Sequence, residues 1–591
     1  MDASYARARQ DAIPMASPDR TTALSKISAL CRAIYGDVLG AAAYARLQQV
    51  IAAHPPLTPK HSAELTQRDA MLITYGDQVR APGQPPLQTL ADFCARHLTG
   101  AISTIHLLPF YPYTSDDGFA VVDYRAVNPA LGSWADIARL GESFRLMFDA
   151  VINHVSAQSA WFQGYLRGEA QYQDYFITVT DRPDLSSVVR PRALPLLTPF
   201  DALHGRRTVW TTFSADQIDL NYANPHVLAE MVDVLLFYAA RGADFIRLDA
   251  VAYLWKEIGT PCIYLPNTHR VIQIFRAALD AVAPHVRLVT ETNVPHHDNI
   301  TYFGDGFNEA QLVYNFALPP LVLHTLQTGD ARMLTQWASA LSLPSKHVTF
   351  LNFLASHDGI GLNPVRGILS GREIHALVTR TLDVGGLISE SHTPDGAHRP
   401  YEMNVNYFDA LSFGARSEAE TMDRFIAAHA ILMAMQGMPA LYFHSLFGSR
   451  GWPEGVRQLG HRRAINRQKL DRAELEHALA EPTSRRTRLF TRLTHLLRAR
   501  AGHPAFHPCG EQRIVSCVPS VFALLRIAPD DRARALCLVN VSAEDQLVQL
   551  PWRALLGTNN AVRDLLSGAR LNVHGPSLEL EPYEARWLSV P

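Results

Sequence analysis

The chain has 591 residues, 47% of them hydrophobic, with 54 Lys and Arg against 56 Asp and Glu and a formal net charge of −2. Such a length allows a large core and several domains. The charges are interspersed rather than gathered in blocks, which excludes the electrostatic footprint of a nucleic-acid or anionic-membrane binder and favours small-molecule chemistry.

In chain order, residues 1–69 place Leu24, Ile27, Leu30, Cys31 and Ile34 at helical spacing and read as a short N-terminal helical extension. The opening MDASYARARQDAIPMASPDR lacks the apolar run of a secretion signal, and no later segment offers the ~18 uninterrupted apolar residues of a membrane span. The expectation is a cytoplasmic protein. The six cysteines form no CxxC pair, so no zinc or disulfide framework is expected.

Residues 70–445 repeat a short apolar run, a polar Gly- or Pro-bearing loop and then a helical pattern, which is the rhythm of βα units and sets a barrel domain over 70–500. The runs are MLITY (71–75), AISTIHLLP (101–109), FRLMFDAVI (144–152), DFIRLD (244–249), VRLVTE (286–291), LVYNF (312–316), TFLNFLAS (349–356) and PALYF (439–443). Eight such strands close an α/β (β/α)8 TIM barrel. Two connections are too long for simple loops, 156–218 after strand three and 359–415 after strand seven, and read as inserted subdomains that shape a site. Beyond 501, SVFALLRI, RALCLVNV and ARWLSV predict a C-terminal antiparallel β domain, 501–591.

In FIRLDA (245–250) two charges interrupt a core strand. Side chains of a strand alternate, so Arg247 and Asp249 share one face with Phe245, and burying them is costly unless they are paired or used. Asp249, Glu291 and Asp358 each fall at or just beyond the C-terminal end of a different strand, the rim where barrel enzymes keep their chemistry. His154 and His357 lie beside them. Two carboxyl groups flanking a bond are what glycosyl transfer needs, one as nucleophile and one cycling between acid and base.

DAVINH (149–154), FIRLDAVAY (245–253), VTETN (289–293) and FLASHDGIG (353–361) resemble, in order and spacing, the four signature regions of the alpha-amylase family of glycoside hydrolases. That resemblance implies Asp249 as nucleophile, Glu291 as general acid/base, Asp358 as transition-state stabiliser and Arg247 as the residue orienting the nucleophile. HLLPFYPYTSDDGF, RPRALPLLTPF, LDAVAYLWKEIGTPC and RRAINR further resemble the sucrose-phosphorylase branch. Within that branch Asp116 and Arg463 would bind the far hydroxyls of a glucosyl unit, with His154, His357, Phe119 and Phe213 around it. Arg192, Tyr253 and Tyr401 would face phosphate.

The acceptor loop departs from sucrose phosphorylases. Arg399-Pro400-Tyr401-Glu402 stands where those enzymes read Asp-Leu-Tyr-Gln, and YEMNVNY with LWKEIGT is most similar to glucosylglycerate phosphorylases. The resemblance implies reversible phosphorolysis of an α-glucoside to α-glucose 1-phosphate, with Glu402 accepting from acceptor hydroxyls and Arg399 or Lys256 meeting a carboxylate. Glycerol, fructose or a fructose phosphate are the alternative acceptors, and a noncatalytic barrel scaffold is the rival from another class. Asn153 is a calcium-ligand position in many amylases, but this branch generally lacks the ion, so neither metal nor cofactor is expected.

Overall fold

Eight parallel strands close into a barrel in sequential order, and each lies within or overlaps one of the apolar runs read from the sequence. They are β1 (Met71–Thr74), β2 (Thr104–Leu107), β3 (Arg145–Ala150), β4 (Phe245–Leu248), β5 (Arg287–Thr290), β6 (Leu312–Tyr314), β7 (Thr349–Asn352) and β8 (Met438–Tyr442). The computed structural model describes residues 19–181, 183–192, 194–392, 398–558, 561–572 and 576–590. Helices cover the outer face of the barrel, so the strands are buried on both sides and read as near-continuous apolar runs.

The barrel register sets the site. Arg247 of β4 lies beside Asp149 of β3 on one side and Val289 of β5 on the other. Glu291 and Asp249 directly follow β5 and β4, so both carboxylates emerge at the same rim.

The first long connection is stapled at its base by an antiparallel pair, His154–Ser156 against Gln217–Asp219, and carries a hairpin, Leu197–Ala202 with Gly205–Trp210. The second forms a three-stranded sheet from Ile360–Gly361, Leu387–His392 and His398–Asn404, which brings Tyr401 and Glu402 over the rim. Gly359 permits that approach: a Cβ there would stand 2.6 Å from the Met403 carbonyl oxygen and 2.7 Å from Glu402 Cγ. A six-stranded antiparallel sheet with a small core of its own follows the helix Arg485–Ala501.

The N-terminal extension is longer than the short helix expected. Arg20–Ala53 is helical on both sides of Gly36, whose φ of 75° breaks the helix. The halves fold back as an αα-hairpin, since Arg20 Nη2 donates to the Ile51 carbonyl at 3.1 Å. Gly40 makes the close approach possible, because a Cβ there would lie 2.7 Å from the backbone of Cys31 and Arg32. The hairpin packs on the helices Pro225–Ala240 and Pro266–Val282.

Candidate active site

Asp249 and Glu291 converge on one guanidinium. Arg247 Nη1 donates to Asp249 Oδ1 at 3.0 Å, and Arg247 Nη2 stands 3.5 Å from Glu291 Oε2. Arg247 is in turn anchored by the fully buried Asp149, which also takes a 2.8 Å bond from His106 Nε2. A buried arginine so held is a fixed positive wall, and the rings of Phe119 and Tyr314 flank its other faces at 5.5 Å.

Burial raises the pKa of both carboxyls while Arg247 opposes it; the charges of Glu291, Asp149 and Asp358 add to the rise of Asp249, and that of Asp358 to the rise of Glu291. Arg247 bonds Asp249 directly and Glu291 only at longer range, so a proton kept by this pair rests on Glu291. Ala250, left-handed at φ 56°, turns its amide toward Glu291 Oε2 at 3.2 Å. Such backbone strain in a non-glycine residue, about 1–3 kcal/mol, persists where the surroundings enforce it.

Asp358 faces the pair across the pocket. Burial works against its charge, but Arg463, at 2.5 Å, His357 and Arg467 hold its pKa down at about 2. The Asp358–Arg463 contact is ionic without hydrogen-bond geometry, since Asp358 Oδ1 lacks a directed donor. His357 stacks on Phe119 with ring centroids 5.0 Å apart, and His154 lies against Phe213 at 5.2 Å. Burial depresses both histidines, His154 to about 4 and His357 to about 3, so both are neutral at pH 7.

Asp249, Glu291, Asp358, Arg463, the two histidines and their phenylalanines line, with Asp116, Tyr253 and Tyr401, a cavity of about 70 Å³ that shares Tyr401 with neighbouring chambers of about 620 and 610 Å³. The inner cavity is narrow because Arg192 crosses it to bond Asp116 at 2.9 Å, its guanidinium 5.6 Å from the Phe213 ring. Burial alone would raise Asp116, yet Arg192, Arg467 and Arg463 hold it well below the usual carboxylate range.

Sequence reasoning missed two residues here. Arg467, buried, reaches Asp117 at 2.6 Å, Asp116 at 3.5 Å and Asp358 at 3.6 Å, whereas Arg463 makes no ion pair with Asp116. Gln217 donates to the Phe119 carbonyl at 3.1 Å beside His154. Arg467 lies in the same RRAINR stretch as Arg463, so the motif carried the signal without saying which arginine turned inward.

The three acceptor residues are not brought together. Glu402 is buried and bound at two points by Arg463, and Arg399 is exposed on the 610 Å³ chamber. Lys256 lies away from the pocket: its ammonium bonds Asp219 Oδ2 at 2.6 Å and Asn153 Oδ1 at 2.7 Å, with the side chain 3% exposed. The buried Asp219 carboxylate claims that cation, so the reading of Lys256 as an acceptor contact is corrected. Among the described residues no group of three or more His, Cys, Asp or Glu is arranged to hold a metal ion. The donors of Asn153 and Asp219 already hold the ammonium.

A closed parallel barrel with buried carboxylates at its C-terminal rim defines a glycoside-active enzyme of the alpha-amylase class. The model of the alpha amylase catalytic domain matches residues 99–360. The chain is 50% identical over 558 residues to a glucosylglycerate phosphorylase of Allomeiothermus silvanus, covering 94% of this chain and 96% of that one. It is 46% identical to the Escherichia coli glucosylglycerate phosphorylase over 90% of this chain and 94% of that one. The solved sucrose 6F-phosphate phosphorylase from Thermoanaerobacter thermosaccharolyticum shares the fold, with a TM-score of 0.72 at 24% identity over 88% of this chain and 99% of that one. The chain belongs to the glucosylglycerate phosphorylase family.

Proposed function

We infer that the enzyme is a retaining phosphorylase that converts 2-O-α-D-glucosylglycerate and phosphate reversibly to α-D-glucose 1-phosphate and D-glycerate. Its family membership supports the substrate, and the convergence of Asp249 and Glu291 on Arg247 is the observation that carries the chemistry.

In this reading an Asp249 oxygen attacks the anomeric carbon as Glu291 gives its proton to the departing glycerate oxygen, leaving a glucosyl-aspartate. A phosphate oxygen then attacks the same carbon from the vacated face, Glu291 takes up the proton of hydrogen phosphate, and Asp249 leaves. Two inversions retain the α configuration. Asp358 supports the positive charge that develops on the sugar. Asp116 and Arg463 hold the far hydroxyls, with Arg467 steadying Asp116 from behind, and for this Arg192 must release Asp116. The freed Arg192, with Tyr253 and Tyr401, then meets phosphate.

Glu402 is satisfied by Arg463, so acceptor hydroxyls meet that ion pair rather than a free carboxylate. Arg399, beside the half-buried Arg366, is the cation proposed for the glycerate carboxylate. A cytoplasmic setting completes the proposal, supported by six cysteines of which none is paired.

The test incubates the enzyme with glucose 1-phosphate and, separately, glycerate, glycerol, fructose and fructose 6-phosphate, following phosphate release. Release with glycerate well above the others is expected. No release with glycerate overturns the assignment.

A further inference from the structure

At the end of the barrel opposite the carboxylates, a cavity of about 430 Å³ opens between the N-terminal hairpin, the start of β5 and the C-terminal domain. Its cations are Lys26, Arg276, Arg287 and Lys346, against the carboxylates Glu64 and Asp280. The excess is two positive charges, with His285, His347 and His507 also at the wall.

The cations are underused. Arg276 is 3% exposed and spends Nε on Asp280 at 3.0 Å and Nη1 on the Val286 carbonyl at 2.7 Å and Gln311 Oε1 at 3.0 Å, while its Nη2 is enclosed and has no acceptor. Arg287 donates Nη2 to the Ala63 carbonyl at 2.7 Å and, among the described residues, makes no ion pair. Burial lowers its pKa, and the charges of Arg145 and Arg276 lower it further against the opposing pull of Cys509 and Asp69. Lys26 and Lys346 are exposed and likewise unpaired among the described residues. A buried donor without a partner costs about 1–3 kcal/mol, and close like charges add to the cost. An anion seated against Arg287 offsets the like-charge cost.

The donor set favours phosphate over carboxylate. The Arg287 guanidinium and two ammoniums offer more N–H groups than two carboxylate oxygens can use, and a phosphoryl group presents three oxygens to them. The rest of the wall is partly apolar. Phe307 is 42% exposed, with its ring 4.9 Å from that of His347, and Leu65 and Pro284 lie nearby.

We propose that this cavity is a second ligand site, for a small organic phosphate whose phosphoryl group sits on Arg287, with the charge of Arg276 behind it, Lys346 at the mouth and the remainder of the molecule against Phe307 and His347. The site is separate from the catalytic pocket, because Arg287 opens β5 while Glu291 follows its far end.

Titration calorimetry of the full chain with ATP, and separately with inorganic pyrophosphate, tests it in the wild type, Lys346→Glu and Arg287→Gln. Saturable binding is expected, weakened about 10-fold or more in Lys346→Glu, the loss of roughly one charge contact. Turnover of glucose 1-phosphate with glycerate should be unchanged in that variant when no ATP or pyrophosphate is present. Lys346 is exposed, so its variant keeps the proposal testable if Arg287→Gln fails to fold. Binding of both ligands makes phosphate sufficient; binding of ATP alone makes the aromatic wall necessary; either supports the site. Failure of both to bind, or binding equally tight in both variants, overturns it.

Discussion

Arg463 binds Glu402, 61 residues away in the chain, through Nε at 3.1 Å and Nη2 at 2.7 Å, and its Nη1 reaches Asp358 at 2.5 Å. One guanidinium therefore ties the strand His398–Asn404 to the carboxylate beyond the end of β7.

Glu402→Gln keeps the volume and removes the charge, leaving Arg463 to Asp358 alone. Breaking one partner of a buried charge pair typically costs 2–5 kcal/mol, so kcat/KM for glycerate should fall about 30-fold or more. Hydrolysis of the glucosyl-enzyme by water, which needs no acceptor contact, should fall much less. Equal losses in the two assays would remove Glu402 from the acceptor side.

Asp249→Asn should abolish every reaction of the pocket, phosphorolysis, synthesis and hydrolysis alike, by ~10⁴-fold or more, because a neutral amide cannot form the ester intermediate. Circular dichroism and calorimetry should show the fold retained, since Arg247 keeps its anchor on Asp149. Appreciable turnover in this variant would place the nucleophile elsewhere.

Glu291 is raised above its ordinary value by burial and by Asp358. A raised acid keeps its proton at higher pH, so formation of the glucosyl-enzyme should fall as pH rises through that pKa. The alkaline limb of kcat/KM for glucosylglycerate reports it. Glu291→Gln should lose that limb along with most of the rate; a limb that survives in the variant belongs to another group.

What the sequence disclosed follows from which interactions are local. Barrel strands buried on both faces need apolar runs, so β1 to β8 left eight of them, and Asp249 and Glu291 stood out as charges ending such runs. Partner choice is not local. RRAINR contains three arginines, and only the closed barrel decides that Arg467 turns toward Asp116 while Arg463 turns to Glu402. Lys256 lies seven residues after Asp249, yet nothing in that spacing shows that Asp219, buried on the other side of the strand-three insertion, needs its charge. The hairpin at Gly36 was hidden because the apolar spacing continues on both sides of the turn.

Lys256→Met tests that reassignment. Asp219 is fully buried, and its other donors are the Thr212 amide and hydroxyl and Asn153 Nδ2. Removing the ammonium leaves an uncompensated buried charge, with an expected cost of about 3–5 kcal/mol. The variant should melt well below the wild type while its KM for glycerate stays within a few-fold. An acceptor contact would give the reverse, an unchanged Tm and a sharply raised KM.

Acid should unfold the protein in two stages, of which histidine sets the first. Burial holds His154 and His429 down at about 4 and His357 and His444 at about 3. In the unfolded chain such groups titrate near ~6.5, so below that pH the unfolded state binds more protons. The stability these neutral rings confer is complete above pH ~6.5 and drains away as pH falls toward their folded values. Asp358, held at about 2, adds its loss only below the ordinary aspartate range, so the two windows are separable. Asp249 and Glu291, both raised, act with the opposite sign and blunt the acid loss. The midpoint of urea unfolding, measured in an Asp249→Asn background to remove part of that opposition, should drop between pH 6.5 and 4.5. His444→Gln should flatten the slope, because that ring lies outside the sugar pocket, bonded to Gln78 and Ser449. A midpoint that stays level over that interval would show that these histidines do not control acid stability.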